Sequence, residues 1–356
     1  MMADTGHEIQ GKRVLVTGGT GFIGSRLVKE LLDRGAEVTV LVDGESKLWR
    51  VEPLLANPRL RLLLCYLADS NSVAAQRKIW GDIDLLAHLR LHMPLTNSVA
   101  AQRKIWGDAD VRAHLGLHMP LTTALCDQAM EDINANLLPT LNLIRALGDS
   151  LQGICFASSV AVYGRPAHLP VKEDELPNPI SSYGATKLAI ENYLRAYGQV
   201  SQTPVTILRY ATVYGPGELG HRAIPNFLHS LTRRQSPLVY GDGSEIRDYV
   251  YIGDVVEATI RALVRRPAQV LNIGSGQGYS SLQIARELMR LCSIDIEPRF
   301  HPVATEKADL ICDISAAQEA LGYFPEITLE NGLRQEIEWY RGEMPTSLRE
   351  ERSLKI

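Results

Sequence analysis

The sequence predicts an α/β fold: a doubly wound parallel sheet followed by a smaller C-terminal α/β region. Three observations carry that prediction. The β-branched run RVLVTGG (13–19) ends in glycines, passes at once into the helical pattern SRLVKELLDRG, and is followed by AEVTVLVDG (36–44). Such a β-α-β unit within about 30 residues is the mark of parallel strands joined by a crossover helix. Alternating strand-like and helical stretches then continue to about residue 215. Finally, 356 residues at 45% hydrophobic and 22% charged composition are enough to bury a large core.

In chain order, RLRLLLCYL (59–67) reads as a third strand and NLLPTLNLIRALGD (136–149) as a helix. GICFASSVAVYG (153–164) is a strand running into a loop, and SYGATKLAIENYLRAYGQ (182–199) a long amphipathic helix. PVTILRYATVYGPGE (204–218) is another strand and loop. Beyond about 215, shorter elements mix with the loops YGDGSEIRDY and NIGSGQGYS, and helices are expected near 280–292 and 329–342. We therefore expect a nucleotide-binding domain over 11–200 and a substrate-binding domain over 201–345 that returns some strands to the first sheet. A polar tail, 346–356, follows.

Residues 71–96 are repeated almost word for word as 97–122, differing only at Ile83/Ala109, Leu85/Val111, Leu86/Arg112 and Arg90/Gly116. Each copy reads as a helix (NSVAAQRKIW), a Gly-Asp turn and a strand ending in AHL. Two copies are too few for a solenoid. The apolar run IDLLAHL (83–89) suits a strand covered on both faces, whereas ADVRAHL would bury Arg112 at a cost of several kcal/mol. The first copy is thus expected to supply the sheet strand, with 97–122 an extra, largely helical excursion near the mouth of the site.

The net charge of −4 gives no reason to expect nucleic acid or an anionic membrane as partner. Five scattered cysteines without a CxxC pair suggest neither a disulfide framework nor a zinc site. No signal-peptide-like apolar segment and no 18-residue apolar run occur, so a soluble, cytoplasmic protein is expected. His88/His92 and His114/His118 have HxxxH spacing, but the second pair copies the first and no acidic third ligand is near. No metal is expected.

GGTGFIG places Gly18, Gly21 and Gly24 around Phe22 and Ile23, directly after a strand and opening a helix. Glycine permits the tight turn and the close backbone approach of a pyrophosphate, which the helix N-terminus stabilises. Asp43, at the end of the second strand, suits the adenosine ribose hydroxyls and favours NAD; Lys47 and Arg50 just downstream leave NADP open. In SSYGATK, Tyr183 and Lys187 stand four apart at the start of a helix, on one face. A nearby ammonium and a cationic nicotinamide would favour the phenolate that a general base requires.

These motifs, with SSVAVYG, LRYATVYGPG and RDYVYIGDV, resemble the extended short-chain dehydrogenases/reductases, and within them the NAD-dependent sugar-nucleotide epimerase/dehydratase family. The resemblance runs from residue 13 to about 342. It implies a Rossmann domain with tightly bound NAD, a C-terminal domain gripping a nucleoside diphosphate sugar, and a homodimer paired through helices near 136–148 and 183–198. It also implies roles: Tyr183 as base, Lys187 as its modulator and ribose ligand, Ser159 (or its neighbour Ser158) on the sugar oxygen, and Arg247 on the nucleotide phosphates. Leu67 takes an adenine-side position, although CYL lacks the aspartate usual there. Arg90 stands where the family has a small residue beside the cofactor, a position Gly116 would fit.

Family dehydratases resemble STDEVYG at the serine motif, where Asp and Glu eliminate water; here Val160 and Ala161 take those places. Dehydration and decarboxylation are therefore disfavoured, and a 4-epimerase working through a 4-keto sugar is expected, on a UDP-hexose or UDP-uronic acid. A keto-sugar reductase with exchangeable cofactor is the alternative. A non-catalytic dinucleotide sensor would be expected to have lost Tyr183, Lys187 or the serines. Thr212 stands where hexose epimerases often carry asparagine, and the first basic groups after TVYG are His221 and Arg222. Glu306 occupies the place of a phosphate-binding arginine, leaving Asp309 as a nucleotide ribose ligand.

Overall fold

The computed structural model describes residues 8–44, 46–80, 82–89, 129–148, 151–219, 222–302 and 308–342. Its centre is a parallel sheet of seven strands in the order β10-β6-β5-β4-β1-β2-β3. In chain order these are β1 (Arg13–Thr17), β2 (Glu37–Val42), β3 (Leu60–Leu64), β4 (Leu85–His88), β5 (Gly153–Ser159), β6 (Val205–Tyr210) and β10 (Val270–Ile273). The chain winds outward from β1 in one direction and from β4 in the other. The strand order thus reverses between β1 and β4, and a crevice opens there at the carboxyl ends of the strands.

The period-2 alternation of strand side chains divides the core in two. Val14, Val16, Leu85, Ala87, Cys155 and Ala157 face one cluster, while Leu15, Leu86, Ile154 and Phe156 face the other. Helix α1 (Phe22–Asp33) covers the first face with Leu27, Val28, Leu31 and Leu32. Helices α2 (Ser70–Trp80), α3 (Leu138–Leu147) and α4 (Ser182–Ser201) cover the second with Val73, Trp80, Leu143, Leu147, Ile190 and Leu194.

Strand β4 comes from the first copy of the duplicated segment. Leu86 pairs in register with Leu15 of β1 and lies opposite Ile154 of β5, and it is 1% exposed. Asp84 secures the strand's entrance, accepting from the Arg13 backbone N–H at 2.9 Å and from its guanidinium at 3.0 and 3.2 Å. Residues 97–122, Arg90 and the tail 346–356 lie outside the described residues.

Three local differences from the sequence reading have clear causes. The helix expected over 136–149 opens instead as a π-helical turn, Ile133–Leu137, before α3 begins with Pro139 in its first turn. In the stretch read as strand and loop over 204–218, the strand ends at Tyr210 and the chain breaks at Ala211, whose N–H still bonds Ile273 O at 2.9 Å. Beyond it the chain leaves the large sheet, and β7 (Thr212–Tyr214) pairs with β9 (Ile246–Tyr251) in a three-stranded sheet completed by β11 (Gly278–Ser280). The loop-rich region after 215 also holds α5 (Ala223–Thr232) and α6 (Ile252–Arg265). Helix α6 lies beside α1 on the first face, burying Ile252, Val255, Val256, Ile260 and Leu263, with Arg34 tied to Glu257 at 2.5 Å.

The smaller part is completed by a β8 (Leu238–Tyr240) and β12 (Arg299–His301) pair and by α7 (Ser281–Cys292), α8 (Ser315–Leu321) and α9 (Leu329–Gly342). Among the described residues no helix is long and apolar enough to cross a membrane.

Leu86→Arg should prevent cooperative folding, because it places a charge in a strand paired on both edges. Deleting 97–122 should leave a cooperatively folding protein with a thermal midpoint within a few degrees of the parent. Calorimetry on both variants checks this, and an unfolded deletion variant would refute it.

Candidate active site

At the carboxyl end of β1 the glycine turn is built by backbone contact. Gly18 has φ +69°, and a Cβ on Gly24 would lie 2.1 Å from Gly18 O. The first turn of α1 therefore packs directly on the loop, and no side chain fits at residue 24. Gly21 is the N-cap, no side chain caps the helix, and its first turn holds no acid. The positive end of α1 is left to face the crevice. Phe22 and Ile23 are half-buried against the core, and Gly217, in the loop after β7, lies over Phe22. Arg50 reaches the same loop, donating to Gly217 O at 3.0 Å while stacked 4.2 Å from the Trp49 ring centre. Burial lowers its pKa to about 10.

Asp43 closes β2 in a tight turn with Ser46, whose hydroxyl donates to Oδ1 at 2.8 Å. The Leu67 side chain is in the second core cluster, and its carbonyl accepts from Asn142 Nδ2 at 2.9 Å. Both nitrogens of His88, at the end of β4, are engaged with Thr17 and Thr140 hydroxyls at 2.7 and 2.8 Å. The uncapped helix start, the glycine cradle and the carboxylate closing β2 together fit NAD: Gly18–Gly24 would hold its diphosphate and Asp43 its adenosine ribose.

Ser181 caps α4 by accepting from Gly184 N at 3.1 Å, so the helix starts at Ser182 and presents Tyr183, Lys187 and Glu191 on one face. Lys187 is 1% exposed; its Nζ donates to Ala157 O at 2.8 Å and lies 4.7 Å from the Phe156 ring centre and 5.9 Å from that of Tyr183. Burial lowers its pKa to about 7, against the opposing pull of Glu191. Tyr183 is half-buried, and desolvation pushes its phenol well above the usual range. The Ser159 hydroxyl, then the Arg222 charge, favour the phenolate, and the Asp132 carboxylate opposes it.

The two adjacent serines separate. Ser159 caps the 3-10 turn Val160–Tyr163, accepting from Ala161 N at 3.2 Å, on the side of Tyr183. Ser158, 2% exposed, points the other way and donates to the Glu191 carboxylate. That carboxylate is held in turn by Arg209 through bonds of 2.7 and 3.1 Å.

The residues expected at the sugar nucleotide are spread over the second sheet and the segments beside it. Thr212 opens β7, half-buried and in register with Tyr249. Arg222 donates to Val213 O and to Glu218 Oε1, each at 3.0 Å, and so reaches the Tyr183 region already paired. Arg247 donates to Glu245 at 2.6 Å, a partly exposed ion pair. Asp309 accepts from Ile246 N at 2.8 Å, holding its segment to β9. His221 and Glu306 lie outside the described residues, as do His92, His114 and His118.

Two groups at the site were missed by sequence reasoning. Glu191 was findable, being one turn beyond Lys187 on the same helix face. Asp132 carries no sequence signal: it is a single acid before an unrecognised π-turn.

The model of the NAD dependent epimerase/dehydratase family matches residues 14–274. The chain is 31% identical over 345 residues to a UDP-glucose 4-epimerase of Mycolicibacterium smegmatis, covering 92% of this chain and 98% of that protein. It is 29% identical to a UDP-N-acetyl-alpha-D-glucosaminuronate decarboxylase of Bacillus cytotoxicus, covering 93% of this chain and 98% of that one. Among solved structures, UDP-glucuronic acid 4-epimerase of Bacillus cereus, in complex with UDP-glucuronic acid and NAD, superimposes with a TM-score of 0.74. It is 26% identical, with 92% of this chain and 98% of that chain covered.

The buried Lys187 makes a stability prediction. Its pKa is about 7 folded and 10.5 unfolded, so the unfolded chain binds more protons between those values and stability rises with pH across that window. Lys187→Met should therefore stabilise the cofactor-free protein most below about pH 7, with a gain that shrinks toward 10.5. Urea unfolding of both proteins at several pH values checks this; a gain independent of pH would contradict it.

Proposed function

The chain belongs to the NAD-dependent epimerase/dehydratase family, and from the geometry of its site we propose that it is a UDP-sugar 4-epimerase. The observation that carries this reading is the Tyr183–Ser159 pair standing beside a turn whose next residues are Val160 and Ala161. Tyr183 removes the proton from the sugar's 4-hydroxyl, and Ser159 donates a hydrogen bond to the oxygen that becomes a carbonyl. Bound NAD, held by Gly18–Gly24 and Asp43, would supply a reversible hydride acceptor for carbon 4. Lys187, held over Phe156 with its Nζ 5.9 Å from the Tyr183 ring centre, would bring a cation near the phenol and a donor for the nicotinamide ribose.

Eliminating water or carbon dioxide asks for additional acid–base groups at the keto-sugar. Val160 is in the core and Ala161 has no proton to give, so the keto-sugar is left to be reduced again. In this reading Arg247 on β9, paired with Glu245, and Thr212 on β7 would meet the sugar nucleotide. A cytoplasmic setting belongs to the same reading, where buried Cys65, Cys155 and Cys312 remain thiols.

The reading extends to a homodimer. Helices α3 and α4 present Leu141, Ile144, Tyr193, Tyr197 and Val200 along one groove, and Val200 is 87% exposed. A second copy of these two helices would cover that apolar strip as a four-helix bundle.

Two measurements test the proposal. Tyr183→Phe should fold and release NAD on denaturation like the parent, yet lose about 10²-fold or more in kcat; near-parental turnover would refute the assigned base. Light scattering at micromolar concentration should give a dimer mass, and Val200→Glu should lower it to that of one chain. A monomeric parent would refute the interface.

A further inference from the structure

Among the described residues, several buried acids are each served by donors. Glu191 holds Arg209 and Ser158. Asp248 accepts from Ser275 N and Oγ, Gly276 N and Cys312 N at 2.7–3.2 Å. Asp254 accepts from the backbone of Glu326 and Ile327 at 3.1 and 3.3 Å. Asp132 differs: it is 0% exposed, and neither carboxylate oxygen has a hydrogen-bond partner. A buried carboxylate without donors is costly, so such a group calls for donors brought by something else.

Its position says what brings them. Asp132 immediately precedes the π-helical turn Ile133–Leu137, a geometry often found at functional sites, and that turn packs on α4. Its charge bears directly on the Tyr183 phenol, the atom that meets the reacting hydroxyl. The cation acting on the same phenol, Arg222, is already matched by Glu218 at 3.0 Å. Neither this pair nor any other described side chain gives Asp132 a hydrogen-bond donor.

We propose that Asp132 is the sugar-reading residue of the site, accepting hydrogen bonds from sugar hydroxyls and selecting a neutral hexose over a uronic acid. This rests on the epimerase reading. A hexose brings hydroxyl donors to both Asp132 oxygens, whereas a uronate brings a second carboxylate into the same enclosed space, where like charges repel with little screening. Arg222 does not rescue the uronate, because pairing with it would break the Arg222–Glu218 ion pair.

The test uses the full chain loaded with NAD and made non-turning by Tyr183→Phe, with UDP, UDP-glucose and UDP-glucuronate titrated by calorimetry. UDP-glucose should bind at least about tenfold tighter than UDP-glucuronate. Asp132→Asn, which keeps size and an acceptor but removes the charge, should shrink that ratio about tenfold, mainly by tightening UDP-glucuronate. Asp132→Ala should weaken UDP-glucose while leaving UDP itself unchanged. A tighter fit for UDP-glucuronate in the Asp132-bearing protein overturns the proposal without any variant, and an unchanged ratio in a folded Asp132→Asn protein overturns it too. If neither sugar adds affinity over UDP, the epimerase reading falls and the role of Asp132 with it; sugar binding with an unaltered preference removes only Asp132.

Discussion

Helix α4 is fastened to the sheet by a carboxylate shielded from water. Glu191 receives two bonds from Arg209 of β6 and one from Ser158 of β5, so three elements meet at one buried ion pair. Arg209 also stacks 4.7 Å from the Tyr163 ring centre, whose hydroxyl donates to Asn272 of β10 at 2.7 Å. Burying two charges together gains little net stability over an apolar pair, but losing either partner strands the other in a dry interior. The value of the pair is positional. With Glu191 fixed, Lys187 and Tyr183 fall one and two turns earlier on the same face, over the carboxyl end of β5.

That arrangement also explains a division of labour between adjacent serines. A strand sends successive side chains to opposite faces, so Ser158 and Ser159 cannot both look at Tyr183. Ser158 serves the ion pair beneath, and Ser159 faces the crevice. In the cofactor-free protein, burial holds Tyr183 in its neutral form and brings Lys187 close to losing its charge at neutral pH. A cationic group brought close to the phenol would favour its ionised form, which the proposed role of Tyr183 as base requires.

Much of this was legible in the sequence where a local rule sufficed. Strands β1, β2 and β4 to β6 show as apolar runs because the large sheet is covered on both faces there, and the glycine turn shows because only glycine tolerates its backbone contact. The Tyr183–Lys187 spacing placed both residues on one helix face, but not the direction of the ammonium, which rests on Ala157 O instead of lying against the phenol. What escaped depended on partners distant in the chain. The break at Ala211 occurs because β7 finds β9, and α6 reads as loop-rich until α1 is beside it. Asp132 is defined by what surrounds it, which no spacing records.

The duplicated segment carries a consequence for the folding landscape. The place between β1 and β5 accepts one strand, and the chain encodes two near-identical candidates for it, 83–89 and 109–115. Most of their sequence cannot break the tie, so the energy gap between native and exchanged pairings is concentrated in Leu86 against Arg112. Such a gap is narrow in origin even where it is large in size. An apolar residue at position 112 would bring the two pairings close to degeneracy, leaving one polypeptide with two competing ways to complete the same sheet.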